Sequence, residues 1–246
     1  MDLSFEQKLT IEAAHVDCFG RCKASVLLYL AQEAAGAHCD SLSLSWEALA
    51  EKGLFWAVIR THVRVERLPK LHEKVIVRTW PMPTTRTAFP RAVVICDEEG
   101  KPLVHVLSLW VLMDIKSRSM VLPGKSGIDV PGQLTGSEIA VPGSLVPMSG
   151  EKTVTRTVRF SELDRNGHMN NTYYLDWAAD LLQAEFHKNH PVREFTICYL
   201  AEALENQTIQ LTYGLDGDGI FQVDGSVSQT DGCDKKTRIF SVKMAF

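Results

Sequence analysis

Apolar and polar positions first alternate loosely along this chain. Leu3, Phe5, Leu9 and Ile11 mark a strand over residues 3–13 that ends at His15-Val16-Asp17-Cys18-Phe19-Gly20. The period then lengthens. Leu27, Leu30, Ala31 and Ala34 fall at i, i+3, i+4 and i+7, the spacing of one helix face, and Ala35-Gly36-Ala37 adds small surfaces that let a sheet come close. Ser45 is placed to cap a second short helix from Trp46 to Lys52, with Gly53 as its terminator. From Leu54 the pattern turns to β. Phe55 to Arg67, Glu73 to Pro81, Arg86 to Asp97 and Leu103 to Ile115 are rich in Val, Ile, Thr and aromatics, and Glu98-Glu99-Gly100-Lys101 joins the last two as a hairpin turn. One strand, a helix and four strands make a complete α+β unit over residues 1–120.

Residues 121–150 break the pattern. They hold six of the sixteen glycines and four of the ten prolines, the composition of a linker, and extended they could cross a whole domain. Beyond them the pattern begins again over residues 151–246. Lys152 to Phe160 reads as strand, and Asn170 to Phe186 as one helix with Leu175, Ala178, Ala179, Leu182 and Phe186 on a single face. Glu194 to Ala203, Gln207 to Tyr213, Gly219 to Gln229 and Thr237 to Phe246 read as strands. An offset of 147 lays Asp17-Cys18-Phe19-Gly20-Arg21 on Asp164-Arg165-Asn166-Gly167-His168, with a helix following each, so the chain is an internal duplication.

That second copy carries the candidate chemistry. Asp164, Asn166 and His168 place an acid, an amide and an imidazole at alternate positions just ahead of a helix, where backbone N–H groups favour developing negative charge. The first copy has Phe19 and Arg21 at the Asn166 and His168 positions, so only the second half keeps the full set. Asp and Asn also form turns and cap helices without any catalytic role. Other groupings are weaker. His15, Cys18 and Cys22 have CxxxC spacing with no second ligand pair, His187 and His190 read as a solvated helix end before Pro191, and Cys198 reads as packing. There is no G-x-S-x-G elbow, phosphate loop or dinucleotide fingerprint, which argues against an α/β-hydrolase or a nucleotide enzyme. No metal or cofactor is expected.

Composition narrows the class. With 45% hydrophobic residues the chain can fill real cores, and no run of about 18 uninterrupted apolar residues marks a membrane span. The start Met1-Asp2-Leu3-Ser4-Phe5-Glu6 lacks a basic-then-apolar leader, so a cytoplasmic location is expected. Six cysteines at 18, 22, 39, 96, 198 and 233 form no CxxC pair and are expected as free thiols. A net charge of −4 argues against nucleic-acid binding, and its uneven division, +1 for residues 1–120 and −5 for 121–246, leaves the first half the better approach for an acidic partner. Arg64, Arg67, Lys70 and Arg86 are candidate contacts there.

Two stretches carry a family resemblance spanning nearly the whole chain. Leu163-Asp164-Arg165-Asn166-Gly167-His168-Met169-Asn170-Asn171 with Tyr174 and Trp177, and Phe55-Trp56-Ala57-Val58-Ile59-Arg60-Thr61-His62-Val63 with Val75 to Trp80, resemble the acyl-carrier-protein thioesterases of plants and bacteria. The resemblance implies an α+β tandem hotdog fold, each half wrapping an antiparallel sheet around a long helix. It implies that Asp164, Asn166 and His168 act with a downstream Glu, matched by Glu202 in Tyr199-Leu200-Ala201-Glu202-Ala203. Where the family usually has Cys this chain has Ala203, so no thiol is required there. Thioester hydrolysis needs an activated water and a polarised carbonyl. Glu202 could deprotonate water, Asn166 orient it, and His168 with the amides entering the helix hold the carbonyl. Asp164 would fix Asn166 or His168, or act itself as base or nucleophile. Trp56, Arg60, Asn170 and Asn171 are expected to bind substrate. Trp46, Phe55, Trp56, Trp80, Phe89 and Trp110 would line an acyl tunnel or simply form core. The expected activity is release of free fatty acid from acyl carrier protein, with no nucleic-acid or membrane partner and with a homodimer left open. The alternatives are a hotdog acyl-CoA thioesterase or dehydratase and a noncatalytic acyl-binding protein.

Overall fold

The computed structural model describes residues 4–246 apart from 133, 135, 148–151, 217 and 229–235. The chain divides into two compact units, Met1–Pro142 and Gly143–Phe246.

In the first unit the elements are β1 (Phe5–Thr10), α1 (Ala24–Ser41), α2 (Trp46–Ala50), β2 (Leu54–Val65), β3 (Lys74–Pro81), β4 (Phe89–Cys96), β5 (Pro102–Asp114), the short β6 (Met120–Val121) and α3 (Pro123–Ser126). The antiparallel sheet runs β1-β3-β4-β5-β2, with β6 on β5. The apolar face read from the sequence is the one α1 buries: Leu27, Leu28, Leu30, Ala31, Ala34 and Ala35 lie inward, against β1, β3 and β4. Ala at three of these positions costs little conformational entropy in a helix and lets the sheet sit near the helix axis. Ser45 caps α2 as expected, its Oγ accepting from the Ala48 amide at 3.2 Å. Leu3, at the start of the expected first strand, lies outside the described residues.

The expected linker is not a free span. Ile128 and Val130 are buried among Leu44, Leu49, Leu54, Phe89 and Leu112, and Ile139 is buried against Ala92 and Leu107. Arg64 donates to the Glu138 carbonyl at 3.0 Å and the Leu134 amide to that of Pro81 at 2.9 Å. Each buried Ile or Val contributes up to about 1.5–3 kcal/mol, enough to fasten a glycine-rich strand of chain to the sheet. The segment therefore belongs to the first unit as far as Pro142. From Gly143 it is tied to the second, where the Val146 carbonyl accepts from Gln222 at 2.8 Å.

The second unit holds β7 (Lys152–Thr157), α4 (Tyr173–Ala179), α5 (Ala184–Asn189), β8 (Glu194–Tyr199), β9 (Thr208–Leu215), β10 (Ile220–Ser228) and β11 (Lys236–Ala245). Its sheet runs β8-β11-β10-β9-β7, all antiparallel. Phe195, Phe221 and Phe240 fill the core, and a Cβ at Gly225, beside the β-bulge, would overlap the Phe240 ring. Each half thus has the expected α+β hotdog arrangement, with one difference. The single helix expected from Asn170 to Phe186 is two short helices. Leu181 and Leu182 turn to i−3 acceptors, Gln183 is extended, and His187 Nε2 lies 2.9 Å from the Ala179 carbonyl at the end of α4. His187 thus serves the C-terminus of α4, while His190 Nδ1 lies 3.0 Å from the Phe186 carbonyl in its own helix. Gln229, the expected end of the fourth strand, lies outside the described residues.

Among the described residues no helix is long and apolar enough to cross a membrane. Cys18, Cys22, Cys39, Cys96 and Cys198 are free cysteines, and Cys233 lies outside the described residues.

Candidate active site

The Asp164 turn is built from its own backbone. The Asp164 and His168 main chains bond across it at 2.7 Å, and the Gly167 amide returns to the Asp164 carbonyl at 3.0 Å. Gly167 has φ +77°, a conformation that any Cβ disfavours. Inside the turn Asp164 Oδ1 accepts from the amides of Asn166 at 2.8 Å and His168 at 3.2 Å, and Oδ2 accepts from Asn166 Nδ2 at 3.3 Å. The carboxylate is therefore engaged in holding Asn166 and His168.

A second strand of chain closes the site. Leu204 bridges His168, and the Met169 amide donates to the Ala203 carbonyl at 2.9 Å. This pairing brings His168 Nε2 to 3.3 Å from Glu202 Oε2. His168 is 12% exposed and Glu202 41%, so the imidazole is walled in while the carboxylate reaches solvent. Leu200 and Leu204 flank Glu202 as a half-exposed apolar rim. Below it Tyr174 is buried against Tyr199 and Phe240. Burial, and after it the carboxylates of Asp164 and Glu202, push the Tyr174 phenol well above its usual range, so it stays protonated. The structure thus brings together all four residues expected to be catalytic.

The other groups expected at the site are placed as follows. Most of the amides around the turn and entering the helix already have acceptors. Those of Asn166, Gly167, His168, Met169, Asn170, Thr172 and Tyr173 all have acceptors, the last four in Ala203, Glu162 and Asn170. Asn170 and Asn171 also do local work: the Asn170 side chain accepts from the Thr172 amide and hydroxyl at 3.0 and 2.9 Å, and the Asn171 carbonyl accepts from Tyr199 at 3.0 Å. Trp56 is half-buried and packs against the core of the first unit, its indole N–H on the Leu44 carbonyl at 3.3 Å and its ring edge-on to Phe89. Arg60 lies half-buried on β2 at a β-bulge opposite β5. Ala203 is fully buried, so a side chain there points into packing. Among the candidate basic contacts, Arg64 is paired with Glu66 and Arg67 with Glu73, while Lys70 and Arg86 are exposed. Among the described residues no cluster of His, Cys, Asp and Glu could hold a metal ion.

The expected tunnel aromatics divide among core clusters. Trp56, Phe89 and Trp110 pack with the α2 region, Trp80 packs with Ile139, and Trp46 is exposed. The crevice between α1 and the sheet is lined instead by Leu28, Ala31, Gln32, Thr61, Arg91 and Ser108, with Trp110 the one tunnel aromatic on its wall. A charged residue on a strand reads as a surface position, so Arg91 gave no signal in the sequence.

Comparison with solved structures fixes the fold as a class. The chain superposes on an acyl-ACP thioesterase from Bacteroides thetaiotaomicron with a TM-score of 0.87 and 24% identity, covering 100% of this chain and 98% of the other. A 12:0-ACP thioesterase from Umbellularia californica gives 0.83 and 22% identity over 100% and 97%. Family models for the acyl-ACP thioesterase N-terminal domain and C-terminal domain match residues 2–122 and 148–243, and the chain belongs to this acyl-ACP thioesterase family. Curated relatives include a palmitoyl-acyl carrier protein thioesterase from Gossypium hirsutum, 24% identical over 85% of this chain and 54% of its own length. A dodecanoyl-[acyl-carrier-protein] hydrolase from Cinnamomum camphora is 27% identical over 73% and 51%. The chain spans about half the length of these relatives.

Proposed function

We propose that this protein hydrolyses the thioester of fatty acyl-[acyl carrier protein] and releases the free fatty acid. The observation that carries the reading is the His168–Glu202 contact at 3.3 Å beside a turn whose Asp164 holds Asn166 and His168. Family membership of both halves supports it. In this reading water attacks the thioester carbonyl carbon while Glu202 takes its proton. The charge that develops on the carbonyl oxygen is met by the side-chain N–H of Asn166, because the amides of Asn166, Gly167 and His168 are occupied. His168 orients the Glu202 carboxylate. When the C–S bond breaks, the proton held by the pair goes to the departing sulfur, leaving a fatty acid and the thiol of the carrier. The free cysteines support a reducing compartment such as the cytoplasm.

Steady-state hydrolysis of a panel of acyl-ACP and acyl-CoA substrates from short to long chain tests the proposal. It expects turnover with acyl-ACP, and a KM for that substrate that rises with salt as attraction to an acidic carrier is screened. Turnover of acyl-CoA alone would assign the other carrier, and absence of turnover with every thioester would sink the enzymatic reading.

A further inference from the structure

The rim of the Asp164 site has a counterpart, position by position, in the first unit. Arg21 bridges Lys70 as His168 bridges Leu204, and the Cys22 amide donates to Pro69 as that of Met169 does to Ala203. Glu66 and Arg67 both donate to the Leu103 carbonyl, as Leu200 and Ala201 do to that of Ile239. With the 147-residue offset of the turn, these pairings set Ala13, Glu66 and Lys70 of the first unit against Phe160, Leu200 and Leu204 of the second. Small or charged side chains in one copy are large and apolar in the other.

All three apolar side chains reach solvent. Phe160 is 80% exposed, Leu200 47% and Leu204 51%. Val158 exchanges backbone hydrogen bonds with Asn206 and Gln207 at 3.0 Å, so Phe160 and Leu204, further along the two segments, leave that pairing at the same end. Leu200 and Leu204 stand on either side of Glu202, the carboxylate that reaches solvent. Exposed apolar side chains add nothing to the core, and while single ones are ordinary, a group of them around a reaction site marks contact with another molecule. The turn of the first unit has Phe19 and Leu71 at its surface, 38% and 37% exposed, but the Arg21 guanidinium lies over the Phe19 ring at 4.8 Å.

The charges change as well. Exposed Arg159 and Arg165 stand where the first unit has Glu12 and Cys18, with exposed Glu205 beside Leu204 as the opposing charge. In the thioesterase reading the sulfur stays at this site until the C–S bond breaks, so whatever carries the thiol lies on the rim during the reaction. A second copy of the chain seated there would close Glu202 off from its substrate. A slender tether alone needs no apolar collar. A folded carrier with an apolar patch and acidic side chains meets both features, its acids facing Arg159 and Arg165.

We propose that Phe160, Leu200 and Leu204, with Arg159 and Arg165, form a docking surface on the second unit for the acidic carrier protein that brings the thioester. The proposal deepens the thioesterase reading and rests on it for the identity of the partner. It moves the contact from the first half, to which the charge balance of the sequence points, to the rim of the reaction site.

Two measurements on the intact chain test it. In the first, hydrolysis of octanoyl acyl carrier protein is compared with that of S-octanoyl-N-acetylcysteamine, which offers the same acyl group without a protein, for the wild type, Phe160→Ser, Arg159→Glu and Glu205→Lys. Phe160→Ser should raise KM for the protein substrate about tenfold and leave kcat/KM for the small thioester unchanged. Arg159→Glu should raise the same KM several-fold, Glu205→Lys should lower it, and both shifts should shrink as salt is added. In the second, calorimetry measures binding of the unloaded carrier protein, a readout independent of turnover, with thermal melts as the check on folding. Phe160→Ser should weaken that binding about tenfold. Equal losses on both substrates in a folded Phe160→Ser, or carrier binding that neither Phe160→Ser nor Arg159→Glu changes, overturns the inference. So does a wild-type dimer that Phe160→Ser splits in sedimentation, or binding to phosphatidylglycerol vesicles that Phe160→Ser abolishes, since these assign the surface to a second copy or to lipid. Should Phe160→Ser fail to fold, the opposed shifts of Arg159→Glu and Glu205→Lys decide it. If no thioester is hydrolysed, the function proposed above fails, while the carrier titration still decides this surface.

Discussion

Asp17 and Asp164 hold the same turn in the two units. Asp17 Oδ1 accepts from the amides of Phe19 at 2.9 Å and Arg21 at 3.0 Å, as Asp164 Oδ1 does from Asn166 and His168. Gly20 and Gly167 share positive φ, +72° and +77°. Each turn is closed by a second segment, through Cys22 to Pro69 in one and Met169 to Ala203 in the other. The difference lies in what fills the remaining carboxylate oxygen. Asp17 Oδ2 is held by Arg21 through Nε at 3.1 Å and Nη2 at 3.0 Å, and Phe19 lies under that guanidinium at 4.8 Å. Asp164 Oδ2 receives an amide that also carries an acceptor. Lys70 donates to Glu73 as Leu204 does to Gln207, which aligns Leu68 with Glu202. The first copy is therefore a closed ion pair over a buried leucine, and the second is an opened one facing a solvent-reaching carboxylate. The comparison shows that a turn and the side chains mounted on it are separable: the Asp–Gly turn is kept in both places, and three side chains differ.

The strongest way to break this comparison is at Glu202. Glu202→Gln keeps the shape and removes the basicity, so kcat should fall by about 10² to 10⁴ with a smaller change in KM. Near-full turnover in this variant, beside loss in Asp164→Asn, would move the base to Asp164. Next in size is the pair of aspartates. Asp164→Ala releases Asn166 and His168 and should lower kcat about 10²-fold, the usual scale for misplaced catalytic groups. Asp17→Ala should leave turnover intact and appear only in denaturant melts, at about 1 kcal/mol. Equal loss of activity in both folded variants would indicate two working sites.

A smaller effect separates the glycines. Neither has an atom near an added Cβ, so Gly20→Ala and Gly167→Ala should each cost only the left-handed backbone penalty, about 1–2 kcal/mol in unfolding experiments. The Gly167 variant should also lose turnover several-fold, and the Gly20 variant should not. The smallest effect is electrostatic. Hydrogen bonds from Arg67, and then from the Lys70 amide, hold the Glu73 carboxyl below its usual range in the segment that closes the first turn. A depressed folded-state pKa gives stability that is present above the ordinary carboxylate range and is lost as pH falls through the folded value. Arg67→Met should therefore flatten the acid limb of the stability profile below about pH 5, by less than about 1 kcal/mol because Arg67 is exposed and solvent screens the pair. An unchanged profile would mean that this ion pair does not secure the loop.

Much of this was readable beforehand because it is local. The period of α1, the Ser45 cap, the Asp–Gly turns and the 147-residue offset all depend on neighbours within a few positions, where backbone sterics and hydrogen bonding act through the chain itself. Asp164, Asn166 and His168 were legible for that reason, and Glu202 through family resemblance. The break in the second helix was not, because Leu181 and Leu182 keep a helical apolar period through residues that leave the helix.

What the sequence by itself determined is therefore the duplicated α+β plan, the turn that carries three of the four candidate catalytic groups, and the loss of those groups from the first copy. Only the tertiary structure decided that Glu202 meets His168, that the amides of Asn166, Gly167 and His168 are already occupied, that Ile128, Val130 and Ile139 fasten the glycine-rich segment to the first unit, and that Arg91 is buried with no carboxylate in ion-pair distance among the described residues. Each of these depends on which distant strands lie side by side and on which face a side chain falls. Strand register settles both, and a slip of one residue would send every side chain to the other face.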